Sequence, residues 1–326
     1  MKRALICGIG GQDGAFLARL LLEKGYEVHG TSRDAQAASF ANLRSLGIFD
    51  RVRCHSMATN DFRSVLQTLT KTRPEEIYNL AGQSSVGLSF DQPVETMESI
   101  GVATLNLLEA IRFMDKSVRF YNAGSSECFG DVGEFPADES TPFRPRSPYA
   151  VAKAAAHWEV ANYREAYNLF ACSGILFNHE SHLRPERFVT RKIVSAACRI
   201  ARGQDEPLAL GNLTIFRDWG WAPEYVEAMW KMLQQDRPED FVIATGTSHS
   251  LEHFTELAFS AVGLDWRDHV KTNPEFYRPS DLKVSRANPR KAATLLGWRA
   301  GTDLSGVVKK MIEAEMARPD SRKGPR

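Results

Sequence analysis

Short apolar runs alternating with amphipathic stretches organise the first half of the chain. Ala4-Leu5-Ile6-Cys7 is a compact apolar run of the kind buried on both faces of a parallel sheet, and amphipathic residues 15–25 follow it after a glycine-rich turn. Further strands are predicted at 27–32, 76–81 and 118–123, with a largely helical stretch over 93–113. A Pro-rich loop at 142–148 precedes a helix opened by Tyr149 and running to 167. Strand and helix in this rhythm predict an α/β protein built on a doubly wound parallel sheet. Beyond about residue 170 the pattern turns mixed, with Arg-rich loops expected at 184–192, 217 and 278. Residues 319–326 carry charge, Pro and Gly without apolar periodicity, and a mobile tail is expected there.

The chain of 326 residues is long enough for two units around a large core. Its 41 basic and 40 acidic residues give a formal net charge of +1, so no global field draws nucleic acid or an anionic membrane, and any anion must be held locally. The five cysteines are odd in number and form no CxxC pair, which argues against a disulfide framework or a zinc cluster and leaves no metal site expected; a reducing cytoplasm suits them. No stretch approaches the eighteen apolar residues of a membrane helix.

Candidate chemistry begins at the first turn, Gly8-Ile9-Gly10-Gly11-Gln12-Asp13-Gly14. Glycines at 8, 11 and 14 let the backbone turn tightly and approach a pyrophosphate, whose charge the next helix N-terminus stabilises. Such a turn between strand and helix predicts a dinucleotide site on a Rossmann-type sheet. At the end of the second strand stand Ser32 and Arg33; a cation there accommodates the 2′-phosphate of NADP, whereas Asp34 could serve NAD or be a solvated loop charge. The second feature is the stretch Ser147-Pro148-Tyr149-Ala150-Val151-Ala152-Lys153, which begins 22 residues after the start of Ser125-Ser126-Glu127 and contains a YxxxK dyad, Tyr149 and Lys153. Four apart on a helix, the Lys153 ammonium is expected beside the Tyr149 phenol, lowering its pKa and making it a base near neutrality. Alone, YxxxK is common on solvated helix faces. With a hydroxyl at Ser125 and a carboxylate at Glu127 it reads as hydride chemistry followed by proton abstraction, and a plain reductase would not need Glu127.

With these residues assembled, the chain resembles the extended short-chain dehydrogenase/reductase family, and within it the GDP-mannose 4,6-dehydratases. The resemblance spans nearly the whole chain and rests on the glycine turn, Tyr78-Asn79-Leu80-Ala81, Pro145-Arg146-Ser147-Pro148-Tyr149, Phe177-Asn178-His179-Glu180-Ser181, Phe188-Val189-Thr190-Arg191-Lys192 and Arg217-Asp218-Trp219-Gly220. It implies a nucleotide-binding unit over 1–170, to which some later segments return, and a smaller mixed α/β unit over 171–318 that binds substrate. It implies NADP held by Gly8, Gly11, Gln12, Asp13, Gly14, Ser32, Arg33, Leu80, Ala81, Tyr149 and Lys153. It also implies a GDP-sugar held by Gln83, Ser84, Ser126, Asn178, Val189, Lys192, Arg217, Arg278 and Asp281, and a homodimer or homotetramer, with helices 93–113 and 149–167 at the dimer interface. The implied reaction is an internal redox dehydration. Tyr149, assisted by Lys153 and Ser125, takes the O4 proton as hydride leaves C4, and Glu127 removes the C5 proton and helps the C6 hydroxyl depart. The chain departs from the family at Ser125 (commonly Thr), at Arg33-Asp34-Ala35 (commonly two Args), at Ser56 (commonly Asp), at His182-Leu183 (commonly Pro-Arg), at Phe216 (commonly Lys) and at Asp281 (commonly Glu). A related nucleotide-sugar epimerase, reductase or decarboxylase, a dehydratase for a modified GDP-sugar, and a catalytically silent NADP-binding regulator are the alternatives.

Overall fold

The computed structural model describes residues 1–114, 117–204 and 206–318; the tail expected at 319–326 lies outside them. Twelve strands run β1 (Arg3–Cys7), β2 (Glu27–Ser32), β3 (Arg53–Ser56), β4 (Glu76–Asn79), β5 (Arg119–Ala123), β6 (Ala171–Leu176), β7 (Asn178–Glu180), β8 (Leu208–Leu210), β9 (Phe216–Trp221), β10 (Phe241–Ile243), β11 (Ser248–Ser250) and β12 (Val270–Thr272). Seven of them form one parallel sheet in the order β10-β6-β5-β4-β1-β2-β3. The order reverses between β1 and β4, which opens a crevice beyond their carboxyl ends where ligands of such sheets bind. Central position explains the apolar run in β1: Ala4, Leu5, Ile6 and Cys7 are fully buried, and each large apolar side chain among them contributes about 1.5–3 kcal/mol.

β6 extends this sheet past residue 170, and β10 rejoins it after the chain has built the second layer. That layer is a mixed sheet, with β9 parallel to β7 and antiparallel to β11, beside the parallel pair β8 and β12. Helices Val189–Ala201, Leu251–Ser260 and Leu304–Met316 close around Trp219, Phe254 and Phe259 to give this region a core of its own. Two of the Arg-rich loops expected from sequence are regular elements: Arg217 lies in β9, and residues 189–192 open the helix Val189–Ala201. Arginine reads as polar loop when counted alone, but Arg217 and Arg191 are buried and paired, so strand and helix accept them.

Local signals set the elements that carry the site. Ser147 accepts the Ala150 amide at 3.1 Å and Pro148 occupies the first helical position, so the helix runs Pro148–Tyr167, one residue earlier than expected. The stretch 93–113 is helical throughout but contains a π-turn, Glu98–Val102. The first helix, α1 (Gln12–Glu23), begins at Gly11 without a side-chain cap.

Two glycines are required by the turn before α1. Gly8 has φ +82°, and a Cβ there would meet the Leu80 carbonyl oxygen at 2.9 Å. A Cβ on Gly14 would sit 2.5 Å from the Gly8 oxygen and 2.7 Å from Ile9 Cα, both backbone atoms that cannot swing away. Gly11 differs: its φ of −72° suits any residue, and a Cβ would find only ordinary contact with the Gly8 oxygen at 3.4 Å. Thermal and denaturant unfolding should therefore show Gly14→Ala destabilised by about 2 kcal/mol or more and Gly11→Ala by under about 1 kcal/mol. Equal losses would mean that the helix does not approach the turn this closely.

Candidate active site

A cleft of about 620 Å³ opens at the reversal point of the large sheet. Gly8, Gly11, Gln12, Asp13, Gly14, Ser32, Arg33, Leu80 and Ala81 all line it, so the structure gathers the cofactor residues expected from sequence outside the Tyr149–Lys153 dyad; Gln83 and Ser84 line it too. The fit to a dinucleotide is physical. The uncapped first turn of α1 leaves amide N–H groups for an anion, and Gly11 offers no side chain to fill the approach. Sequence reasoning missed Met57–Asn60, Glu95, Arg184, Arg187 and Phe188, which also line the cleft. Residues 57–60 directly follow β3, the usual place for ligand contacts, but β3 reads Arg-Cys-His-Ser and shows no apolar run.

Gln12 and Asp13 line the cleft while their side chains are tied to β7 and the residues just after it. Asp13 Oδ2 lies 2.9 Å from His179 Nε2, and Gln12 Nε2 donates to Asp13 Oδ1 at 3.0 Å and to the His179 carbonyl at 3.2 Å. Ser181 Oγ donates to Gln12 Oε1 at 2.7 Å and accepts the Leu183 amide at 3.1 Å, and His179 Nδ1 meets the Phe177 carbonyl at 2.7 Å. The first turn of α1 is thus pinned to β7. Burial raises the Asp13 pKa, but His179 beside it more than offsets this and holds the carboxyl below its usual range. Burial lowers the His179 pKa, and Asp13 reverses it to a net rise.

At the end of β2, Arg33 extends into the cleft mouth and pairs with Glu95 at 2.9 Å. Asp34 is committed elsewhere: its Oδ1 accepts the Gln36 and Ala37 amides at 2.9 and 3.2 Å, and it does not line the cleft.

The residues expected from sequence to handle protons converge beyond β5. Ser125 caps the short 3-10 turn Ser126–Phe129, accepting the Glu127 amide at 3.3 Å, and also hydrogen-bonds the Tyr149 phenol. Lys153 Nζ donates to the Ala123 carbonyl at 2.7 Å and lies 5.8 Å from the Tyr149 ring centre. Proximity of the dyad is as expected, but the pKa of the phenol is not lowered. Burial pushes it well above the ordinary tyrosine value, with the Ser125 hydrogen bond opposing, while burial also draws Lys153 down to about 8. The ammonium spends its hydrogen bond on a carbonyl, and desolvation of both groups outweighs their attraction.

Several of the residues expected to hold substrate form a second cluster. Arg217 Nη2 donates to Asp281 Oδ1 at 3.1 Å and Nη1 to the Leu282 carbonyl at 2.8 Å, and Arg278 lies 3.6 Å from the same Asp281 oxygen. Burial draws the Arg217 guanidinium down, while the Glu127 and Asp281 carboxylates oppose it, so this cluster and Glu127 share one field. Asp218 next to Arg217 accepts the Thr245 and Gly246 amides at 3.0 and 2.7 Å and fixes β9 against the loop after β10. Lys192 Nζ donates to the Ala209 carbonyl at 2.8 Å and stands 4.5 Å from the Phe276 ring centre, gripping the segment that carries Arg278. Asn178 opens β7 opposite Trp219, two residues from Arg217. Ser126 is buried in the 3-10 turn Ser126–Phe129; Gln83 folds back onto Ser85 and Thr96; the Val189 side chain packs on the core of the smaller region.

The Asp13–His179 pair has a defined pH signature. A depressed carboxyl stabilises the fold above its unfolded pKa, near 4, and loses that contribution as pH falls through the folded value. A raised imidazole stabilises below its unfolded value, near 6.5, and loses that contribution as pH rises through the folded one. The pair therefore contributes fully between about pH 4 and 6.5. Asp13→Asn should cost about 1–3 kcal/mol in that window, and NMR titration should show His179 moving from above to below the ordinary histidine range. An unmoved His179 midpoint would exclude the ion pair.

Comparison with known proteins agrees with this geometry. Residues 5–311 match the family described as GDP-mannose 4,6 dehydratase. GDP-mannose 4,6 dehydratase 2 of Caenorhabditis elegans is 46% identical over 343 residues, covering 97% of this chain and 89% of the relative. GDP-mannose 4,6 dehydratase of Homo sapiens is 43% identical over 338 residues, covering 96% and 91%. Among solved structures, UDP-glucose 4-epimerase of Thermus thermophilus in complex with NAD superposes with a TM-score of 0.85 at 25% identity, covering 97% of this chain and 99% of that one. By its sequence and fold, this chain belongs to the GDP-mannose 4,6-dehydratase family.

Proposed function

We propose that this chain is an NADP-dependent GDP-mannose 4,6-dehydratase, releasing water from GDP-mannose to give GDP-4-keto-6-deoxymannose. The observation that carries the reading is the placement of Glu127. Its carboxylate sits on the turn capped by Ser125, at the strand end that also holds Lys153, and within the field of Arg217. A reductase or an epimerase needs no such carboxylate.

Gly8, Gly11, Gly14, Leu80 and Ala81 would hold the dinucleotide, with Ser32 and Arg33 at its adenosine ribose. Bound there, it supplies reversible hydride acceptance between C4 and C6 of the sugar and, when oxidised, a positive charge that favours the Tyr149 phenolate. The commitment of Asp34 to backbone amides and the presence of Arg33 support NADP over NAD. Tyr149 accepts the O4 proton, with the Ser125 hydroxyl hydrogen-bonded to the phenol oxygen. The C4 ketone acidifies the C5–H bond; Glu127 takes that proton and passes it to the C6 hydroxyl, which leaves as water. The proton held by Tyr149 balances the one that C5 takes back. Arg217 and Arg278, arranged about Asp281, present cations to the GDP diphosphate.

The five free cysteines suit a reducing cytoplasm, and no helix among the described residues is long and apolar enough to cross a membrane. Val102, Leu105, Val151 and Trp158 are exposed apolar residues on the helical stretches 93–113 and 148–167, which pack against each other, and they support a homodimer through that face.

Incubation with GDP-mannose and catalytic NADP⁺ should remove one water from the nucleotide sugar, followed by mass spectrometry, without accumulating NADPH. An unchanged mass would redirect attention to epimerisation. Glu127→Gln should keep nucleotide affinity while slowing dehydration at least about 100-fold; full-rate dehydration by this variant would remove Glu127 from the mechanism. In sedimentation velocity, Trp158→Arg should yield a folded monomer, and an unaltered sedimentation coefficient would place the interface elsewhere.

A further inference from the structure

Three arginines line the dinucleotide cleft, Arg33, Arg184 and Arg187, and only Arg33 follows β2, where a group on the adenosine 2′ position is met. Its Nη2 donates to Glu95 Oε1 at 2.9 Å. The two residues belong to facing walls: Arg33 leaves the end of β2, whereas Glu95 lies in the first turn of the helix Pro93–Met97. Two carboxylates line the cleft among the described residues. Asp13 is neutralised by His179, and Glu95 has Arg33. Both members of the latter pair are solvated, with side chains 81% and 44% exposed, so their attraction is weak and exchangeable.

We infer that Glu95 sets the coenzyme selectivity of this cleft by holding Arg33 as its counterion, so that a 2′-phosphate must take the guanidinium away from a carboxylate. The inference rests on the reading of the cleft as an NADP site. A phosphate monoester carries between one and two negative charges near neutrality, and its fork-like contact with arginine is stronger than an exposed carboxylate pair. The phosphate therefore wins the exchange, at reduced net affinity. NAD presents a neutral 2′-hydroxyl that needs no cation and can donate to a carboxylate. Glu95 thus weakens NADP selectively and narrows the gap between the two coenzymes, acting through Arg33 as a positioning residue.

Calorimetric titration of the full chain with NADP⁺ and with NAD⁺ tests this in wild type, Glu95→Gln, Arg33→Met and the double variant. Glu95→Gln should tighten NADP⁺ about fivefold at low ionic strength and leave NAD⁺ within about twofold. The gain should shrink at high salt and vanish in the Arg33→Met background. A Glu95→Gln effect equal for both coenzymes, as a purely structural role in the helix turn would give, overturns the inference. So does a gain that persists in full without Arg33. If instead Arg33→Met weakens NADP⁺ while Glu95→Gln changes nothing, the NADP reading stands and the inference alone falls. Unaltered NADP⁺ affinity in Arg33→Met removes the NADP reading itself, and the inference with it.

Discussion

The first turn of α1 does two jobs at once, and the rest of the site depends on that. Its side chains reach inward, Asp13 to His179 and Gln12 to Ser181, so the turn is tied to the strand that opens the second sheet. Its amides remain for the cleft, because no side chain caps them. The same few residues therefore fix where a pyrophosphate can sit and how the smaller region sits relative to it. His179 also stacks on Tyr225, with ring centres 4.5 Å apart, and Tyr225 belongs to the helix Ala222–Met232 that packs against α1. Hydride transfer tolerates little misplacement of its partners, and a buried polar link between nucleotide and substrate elements is a means of holding them.

Burial governs the catalytic corner more than charge does. Tyr149 and Lys153 are both desolvated, and each is pushed toward its neutral form: the phenol upward, the ammonium down to about 8. Helical spacing places the two groups together but does not by itself make a phenolate. A corner of this kind is a poor base until a positive charge is placed beside it, so on the proposed function Tyr149 would become a competent base only with the oxidised dinucleotide bound.

Legibility followed the strength of the local signal. β1, the glycine turn and the Ser147-Pro148 helix start were readable because burial, φ and capping act within a few residues. β3 was not, since an edge strand of polar residues has no hydrophobic signature, and with it went the Met57–Asn60 wall of the cleft. Arg217 was placed in a loop because arginine looks polar; its burial is made possible by Asp281 and the Leu282 carbonyl, both distant in sequence, together with the carbonyl of its neighbour Phe216. The resemblance named Arg217, Arg278 and Asp281 but could not show that the three bind one another. Glu95 carried no signal at all, because its meaning comes from Arg33, 62 residues away.

That last point generalises across the site. A chain with net charge +1 cannot attract a dinucleotide and a nucleotide sugar through its overall field. Four arginines of the cleft and of the Asp281 cluster instead have a resident carboxylate: Glu95 for Arg33, Asp281 for Arg217 and Arg278, Glu180 for Arg184. Like charges held close repel, and a buried guanidinium without a partner is costly, so the partners let the arginines stay positioned before any phosphate is present. Binding then becomes an exchange of carboxylate for phosphate, whose net gain is smaller than the raw attraction. Such a site gains in preorganisation what it gives up in affinity. How much it gives up at each arginine depends on burial: little is forfeited at the solvated Arg33 pair and more at Arg217, where a buried guanidinium meets a partly buried aspartate.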